Sequence, residues 1–205
     1  MAANPKIFQY LKFPGEYEVN YMHWLIPEKE ETLTHYVSRL REQIKHENPV
    51  LLGVSFGGII VQELAKQMEV KKLILISTVK HHEEFPLFFE TALRYRLYKL
   101  FPSSILQKVE WLEKMAVTKN FKRKMKLYRL YMDVNDPQYL NWAIKQVLQW
   151  KQTQKLKNFI HIVGEKDKVF PVKYIQEPKI VVPGGRHDMI IFRARWFNKH
   201  LPEFL

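Results

Sequence analysis

A strand that turns directly into a helix is the feature that most constrains this chain. The apolar run at residues 50–54 leads through the pattern G-V-S-F-G, residues 53–57, into a helical pattern that begins at Phe56 without a loop. So sharp a turn brings the strand and helix backbones close together, which is a reason for glycine on either side of Ser55. The serine hydroxyl is then held above the sheet, where a base and a carbonyl carbon can reach it. The pattern therefore predicts a nucleophilic serine.

The start of the following helix supports this interpretation. The backbone N–H of Phe56 and the positive end of the helix dipole could stabilise an oxyanion that forms beside Ser55. The alternative interpretation is a glycine-rich junction that packs closely and does no chemistry.

Two segments further along the chain supply candidates for the base and the acid that a nucleophilic serine needs. Residues 157–164 form an apolar strand pattern that leads to Asp167, and residues 179–182 form another that leads through a turn to His187. The carboxyl ends of parallel strands lie at one edge of a sheet, where sites in open α/β sheets form. We therefore expect Ser55 to meet both residues.

Three short segments carry a resemblance to a known family. They read GVSFGG at residues 53–58, GEKDKVFP at residues 164–171 and GGRHDM at residues 184–189. In this order, serine before aspartate before histidine, they resemble the small α/β-hydrolases, whose nucleophile elbow has the pattern G-x-S-x-G. The resemblance covers most of the chain.

The resemblance implies a catalytic triad and part of an oxyanion hole. Ser55 would be the nucleophile, His187 the general base and acid, and Asp167 the carboxylate that orients the histidine. The amide of Phe56 would be one oxyanion donor.

Two other carboxylates, those of Glu165 and Asp188, compete with Asp167 for the acid role. Asp188 adjoins the histidine in sequence, and neighbours on a chain rarely direct their side chains at each other. Asp167 is therefore the preferred acid.

The N-terminal part of the chain departs from the family pattern. In α/β-hydrolases a strand precedes the first helix, and the loop after that strand carries small residues that complete the oxyanion hole. Residues 1–5 resemble the end of this loop, whereas the strand itself is missing from the pattern. In the family it lies between the strands predicted here at residues 18–24 and 50–54. Either the chain is a fragment, or its sheet has closed up around the loss.

Strand and helix patterns alternate in the first part of the chain. Extended patterns are predicted at residues 18–24, 50–54 and 72–77, and helical patterns at residues 6–12, 31–46 and 56–68. This alternation is typical of an α/β protein with a parallel sheet.

Residues 80–157 are predicted to form a helical insertion, because their apolar residues recur at helical spacing. In the family an insertion at this place is a cap or lid over the active site, so the predicted α/β-hydrolase core comprises residues 1–79 and 158–205. The aromatic-rich segment at residues 85–89 either lines a substrate pocket or packs the cap onto the core, and packing is the favoured alternative.

Composition narrows the class of protein further. The chain has 205 residues, 46% of them hydrophobic and 14% aromatic, which suffices for a sizeable core in one domain with an insertion. It has no cysteine, so disulfides and thiolate metal sites are excluded. No apolar stretch is long enough for a signal peptide or a membrane span, and we expect a cytoplasmic protein.

Much of the formal net charge of +12 is concentrated in residues 119–129 of the predicted cap. A basic helix there could bind nucleic acid, an anionic membrane or acidic substrates. The favoured alternative is a solvated basic face with an apolar stripe on its other side, so no specific nucleic-acid partner is expected.

The run His-His-Glu-Glu at residues 81–84 is not assigned to a metal, because adjacent loop residues do not define a coordination sphere.

These patterns predict a serine hydrolase that cleaves a carboxylic ester or thioester through an acyl-enzyme on Ser55. The partner is a small-molecule acyl substrate, and the chemistry requires no cofactor. The alternative is a catalytically silent binding or structural protein with the same fold, since loss of one oxyanion donor typically costs about 10²–10³ in rate. A third alternative is an anion-binding protein that uses the basic segment.

Overall fold

A computed structural model describes residues 3–95, 130–132, 136–152 and 154–205 of the chain. Within these residues, four parallel strands form one sheet in the order β1-β2-β3-β4. The strands are β1 at Val50–Val54, β2 at Lys72–Ile76, β3 at Phe159–Gly164 and β4 at Ile180–Val182. The helices are α1 at Leu33–Arg41, α2 at Phe56–Leu64, α3 at Leu87–Arg94, α4 at Pro137–Gln149, α5 at Met189–Phe192 and α6 at Ala194–Phe204, with short 3-10 helices at Pro5–Phe8, His82–Glu84 and Val172–Tyr174.

The predicted α/β class with a parallel sheet is confirmed. The four strands come within two residues of the bounds that the apolar patterns predicted, since each reads as a nearly continuous apolar run. The helices are shorter than predicted at residues 31–46 and 56–68. Thr32 begins α1 by accepting a hydrogen bond from the N–H of His35, and Asp136 begins α4 by accepting one from the N–H of Tyr139.

The predictions for two N-terminal segments were wrong. Residues 6–12 form only the 3-10 helix at Pro5–Phe8, which Asn4 caps. Residues 18–24 pair with no strand among the described residues. The backbone N–H and C=O of His23 bond instead to the side-chain amide of Gln43, at 2.8 and 3.0 Å. A cavity separates this segment from β1, so the segment has no ladder partner within reach.

Two apolar clusters cover the two faces of the sheet. One cluster joins α1, α2 and α4 to the sheet, and the other joins α5, α6 and the N-terminal 3-10 helix. The strand residues of the first cluster include Leu51, Leu73, Leu75 and Val163, and those of the second include Ile74, Ile76, Ile162 and Val182.

Helix α4 packs directly on the core. The ring of Trp142 lies 4.3 Å from that of Tyr36, and its indole N–H donates to the backbone oxygen of Glu31 at 2.7 Å. The rings of Phe85 and Phe89 pack against the ring of Phe170, with centroid distances of 6.1 and 5.7 Å.

The rings of residues 85 and 89 therefore pack against the segment that follows β3. The boundaries of a cap at residues 80–157 stay a prediction, and the basic segment at residues 119–129 lies outside the described residues. Over the part of the chain that the structure describes, no helix is long and apolar enough to cross a membrane.

Candidate active site

Ser55 sits in a strained turn between β1 and α2. Its backbone has φ 55° and ψ −120°, a conformation that costs a non-glycine residue about 1–3 kcal/mol. The turn is anchored on the sheet, because the N–H of Ser55 donates to the backbone oxygen of Ile76 on β2 at 2.9 Å. The strain and its position at the carboxyl end of a strand are those of a nucleophile elbow.

The glycines at this turn differ in what they allow. A Cβ on Gly53 would collide with the carbonyl group of Gly57, so the first glycine of the pattern is required for close backbone approach. A Cβ on Gly57 itself would meet nothing within 4 Å, and the expectation that both glycines are crowded was wrong. The second crowded glycine is Gly58, where a Cβ would overlap the side chain of Thr78.

The structure brings Ser55, His187 and Asp167 together. The Nε2 atom of His187 lies 2.9 Å from Oγ of Ser55, and its Nδ1 atom lies 2.9 Å from Oδ2 of Asp167. A carboxylate only accepts hydrogen bonds, so Nδ1 carries a proton and Nε2 is left to accept the one from the serine.

Asp167 is held rigidly in the turn after β3. Its side chain is 1% exposed, and its Oδ1 atom accepts hydrogen bonds from the N–H groups of Val169 and Phe170, at 2.7 and 3.0 Å. The ring of Phe170 in turn contacts the imidazole of His187, with centroids 5.6 Å apart. Sequence reasoning missed Phe170 because no local pattern marks the residue that covers a histidine.

The two competing carboxylates lie elsewhere. Glu165 accepts a hydrogen bond from the N–H of Gly184 at 2.7 Å, and Asp188 is exposed at the start of α5. Neither makes a hydrogen bond to His187 in the part of the chain that the structure describes.

A close contact between two loops sets the distance from Asp167 to His187. The N–H of Lys166 donates to the backbone oxygen of Gly185 at 2.7 Å. A Cβ added to Gly164 would lie 2.6 Å from that same oxygen, so β3 must end in glycine for the loops to meet.

The backbone of Phe56 begins α2 directly beside Ser55, and the first N–H groups of a helix have no partner within the helix. The Phe56 ring is buried, where it stacks on Trp24 with centroids 5.7 Å apart. The indole of Trp24 donates to the backbone oxygen of Ala3 at 2.9 Å. Trp24 thus contacts both the N-terminal segment and the start of α2.

A cavity of about 910 Å³ opens at Ser55 and His187 and extends along β1. One wall is formed by residues 48–55, and another by residues 16–24. Residues 85–89 do not line this cavity.

Two groups of side chains among the described residues place three possible ligand atoms within 4.8 Å of one another. In the group His81, His82 and Glu83, the Nδ1 atom of His82 already lies 2.8 Å from the backbone oxygen of Gln152. The other group is Glu28, Glu31 and His35. There the carboxylate of Glu31 already forms an ion pair with the guanidinium of Arg39, with an N to O distance of 2.9 Å.

Burial opposes the charge of Glu31, but its hydrogen bonds, from Arg39 foremost, hold the pKa of this carboxyl below its ordinary value. Both groups of side chains therefore have protein partners of their own.

His161 lies on β3 away from the site. It is buried, and its Nε2 atom lies 2.9 Å from the backbone oxygen of Thr78, whereas Nδ1 has no partner among the described residues. Burial lowers the pKa of His161 to about 4, against the opposing effect of the hydrogen bond to Thr78. The ring is thus neutral and structural at neutral pH.

Solved structures with a similar fold include esterases, lipases and bromoperoxidases. A thermophilic esterase from Thermogutta terrifontis has a TM-score of 0.62 at 17% identity, over 98% of this chain and 85% of that chain. A lipase-esterase related protein from Clostridium acetobutylicum has a TM-score of 0.56 at 15% identity, over 100% and 90%. A bromoperoxidase from Bacillus anthracis has a TM-score of 0.55 at 17% identity, over 83% and 72%. No protein-family model and no curated protein matches this sequence.

The parallel sheet, the strained turn after β1 and these similarities define the class of the protein. It has the α/β-hydrolase fold, as the sequence resemblance implied. At identities of 15–17% the similarity is one of fold, and the chemistry has to be argued from the site itself.

Proposed function

We propose that this protein is a serine hydrolase that cleaves a carboxylic ester or thioester through an acyl-enzyme on Ser55. The observation that carries the proposal is the unbroken hydrogen-bonded chain from Ser55 through His187 to Asp167, with 2.9 Å at each step. A base within hydrogen-bond reach of a serine, itself oriented by a third group, is the arrangement that activates a hydroxyl for attack.

In the first half of the reaction, Oγ of Ser55 attacks the acyl carbon while its proton passes to Nε2 of His187. Asp167 holds the imidazole in the required tautomer and stabilises the positive charge that the ring acquires. The imidazolium then returns the proton to the leaving alcohol or thiol, and the bond between that group and the acyl carbon breaks.

Negative charge develops on the carbonyl oxygen during the attack. The N–H of Phe56 is the donor that we assign to this oxygen, since it begins α2 directly after the nucleophile and the helix dipole adds to its effect. In the second half of the reaction a water molecule gives a proton to His187 and attacks the acyl carbon. The bond between the acyl carbon and Oγ of Ser55 then breaks, the imidazolium returns its proton to Oγ, and the acid is released.

The test is covalent labelling with a fluorophosphonate, which reacts with activated serines. We expect labelling of the wild-type chain at Ser55 and its loss in Ser55→Ala and His187→Ala. Ser77→Ala is a matched control, because Ser77 also follows a strand at positive φ, 48°, but is buried with its hydroxyl unpaired among the described residues. Labelling should survive in this variant.

Two outcomes would contradict the proposal. Equal labelling of the wild type and Ser55→Ala would place the nucleophile elsewhere. A folded chain that does not react at all would favour the alternative of a protein that keeps the fold without the activity.

A further inference from the structure

Glu84 carries a buried carboxylate that has no part in the mechanism above. It lies in the short 3-10 helix at His82–Glu84, and its side chain is fully buried. The N–H of Lys80 donates to Oε2 at 2.7 Å. The ammonium group of Lys80 and the N–H of Gln176 donate to Oε1, at 2.7 and 2.9 Å. A carboxylate away from water needs such donors, so these bonds fix it in one position.

The bonds of Glu84 join two parts of the chain that lie 92 residues apart in sequence. One part begins at Lys80. The other is the connection between β3 and β4, residues 165–179, which we call the acid-bearing segment because it contains the carboxylate of the triad. The ammonium group of Lys80 also donates to the backbone oxygen of Gln176. The pair of Lys80 and Glu84 thus holds both the N–H and the C=O of Gln176.

A compact turn leads from Gln176 back to Phe170. The 3-10 helix at Val172–Tyr174 is closed by a hydrogen bond of 3.2 Å from the N–H of Ile175 to the backbone oxygen of Val172. The side chain of Ile175 is buried in the cluster with α1, α2 and α4. Closely packed interiors transmit displacements, so a shift at Gln176 should also move Phe170.

Aromatic rings form a second connection between these parts of the chain and the site. The ring of Phe89 stacks on that of Phe170, with centroids 5.7 Å apart, and the ring of Phe170 lies 5.6 Å from the imidazole of His187. The N–H of Phe170 donates to Asp167 at 3.0 Å. The position of Phe170 therefore affects both the ring that accepts the proton and the carboxylate that orients it.

A second buried carboxylate, that of Glu63 on α2, offers a comparison. It accepts hydrogen bonds from the indole N–H of Trp150 at 2.7 Å and from the ammonium group of Lys66 at 2.6 Å. Within the described ranges, its hydrogen bonds do not reach the acid-bearing segment. Glu63 thus resembles Glu84 in burial and in its lysine partner, but it lacks the connection to the triad.

We propose that Glu84 is a positioning residue for His187. By holding Gln176, its carboxylate keeps the acid-bearing segment where Phe170 covers the imidazole and Asp167 lies 2.9 Å from Nδ1. The inference rests on the proposed function, in which His187 accepts and returns the proton. A displacement of about 1 Å in a reacting group can cost on the order of 10²-fold in rate, so a clamp outside the triad can matter to the chemistry.

Glu84→Gln tests this clamp with little change in shape. The amide oxygen still accepts a hydrogen bond, but the NH₂ group replaces an acceptor with a donor and the charge is lost. The double variant Lys80→Gln/Glu84→Gln removes both charges, so it leaves no unpaired buried charge and keeps the test open if the single variant does not fold. Glu63→Gln is the matched control, because its amide oxygen can still accept the hydrogen bond from Trp150.

The first measurement is backbone amide exchange, residue by residue, in the full chain. In the Glu84 variants we expect exchange at Val169 and Phe170 to be on the order of tenfold faster than in the wild type, since both N–H groups bond to the triad carboxylate. The N–H of Ser55 is the internal reference, because a general loss of stability would speed its exchange as well. Relative to this reference, Glu63→Gln should leave both groups within about twofold of wild type.

The second measurement separates binding from chemistry in the labelling of Ser55 by a fluorophosphonate. The labelling rate at saturating probe should fall about tenfold or more in the Glu84 variants. The probe concentration that gives half of this rate should stay within about twofold, because His187 activates the serine and does not hold the probe. Glu63→Gln should change neither quantity.

Three results would overturn the proposal. Wild-type exchange at Val169 and Phe170 in the Glu84 variants would show that the carboxylate does not hold the segment. Faster exchange with a wild-type labelling rate would leave Glu84 a purely structural role, and equal effects in Glu63→Gln would show a general loss of stability. A wild-type chain that is not labelled contradicts the proposed function instead, and the exchange measurement, which needs no reaction, then decides by itself whether Glu84 holds the segment.

Discussion

At the scale of single residues, the site depends on which of several carboxylates reaches the imidazole of His187. Asp167 is buried with both oxygens bonded, one to His187 and the other to two backbone N–H groups. Asp188 is next to the histidine in sequence, but it is exposed. It precedes α5, and its side chain makes no capping hydrogen bond to that helix. The loop after β3, and not closeness along the chain, therefore decides which carboxylate reaches His187.

Asp167→Asn should reduce ester hydrolysis by about 10²–10⁴-fold. The amide would still accept the hydrogen bonds from Val169 and Phe170, so the loop should keep its shape. Its NH₂ group would, however, donate to Nδ1 of His187 and leave the proton on Nε2, where the base must be free. Turnover of p-nitrophenyl butyrate measures the effect.

The matched controls for this variant are Asp188→Asn and Glu165→Gln. Both remove one carboxylate without touching the imidazole, and each should stay within about twofold of wild-type turnover. If Asp188→Asn lost more activity than Asp167→Asn, the acid role would belong to Asp188.

At the scale of elements, the junction of β1 with α2 combines strain with close packing. The first and last glycines of GVSFGG carry the crowding, against the backbone at Gly57 and against the side chain of Thr78 respectively. The middle glycine has free space around its Cα. A sequence pattern does not distinguish these cases, because the colliding atoms of Thr78 come from the segment that follows β2.

Gly58→Ala should lower the free energy of unfolding by about 1–3 kcal/mol, as overpacking a buried site does. For a chain of this length that corresponds to a decrease in Tm of about 2–12 °C. Gly57→Ala should leave Tm unchanged or raise it slightly, because alanine is the better helix former and nothing lies within 4 Å. Thermal unfolding of the two variants compares them directly, and equal Tm values would contradict the assigned contact with Thr78.

At the scale of the whole molecule, two apolar clusters enclose a sheet in which, over the described residues, β1 pairs with β2 alone. The buried polar exception on β3 is His161, whose neutral ring bonds to Thr78 in the core. Because burial lowers its pKa to about 4 from an ordinary 6.5, the unfolded chain binds a proton at higher pH than the folded one.

Stability should therefore decrease as the pH falls from 6.5 to about 4, and this residue should contribute no further loss below that. The difference between these two pKa values corresponds to on the order of 3 kcal/mol in the free energy of unfolding, at 1.36 kcal/mol per pH unit. His161→Gln, which keeps a donor for Thr78, should flatten the decrease in urea unfolding experiments across this range. His23→Gln removes an exposed histidine and should keep the wild-type slope, and identical slopes in both variants would contradict the role of His161.

Local sequence determined the strands and the turn at Ser55. Strands buried on both faces must be apolar throughout, and a strained strand-to-helix junction requires Gly53. A short stretch of sequence therefore suffices to predict both features. The apolar patterns also placed Asp167 and His187 after strand ends. In the structure His187 lies within hydrogen-bond distance of both Ser55 and Asp167.

Only the tertiary structure decided which extended segments became strands and which groups touch. Residues 18–24 have a strand-like sequence, yet an extended backbone becomes part of a sheet only when another strand lies within hydrogen-bond distance, and a cavity lies there instead. In the same way, the contact of Phe170 with His187 and that of Gly58 with Thr78 join residues distant in sequence. Pairing and packing of this kind depend on where other parts of the chain come to lie, and a local pattern does not carry that information.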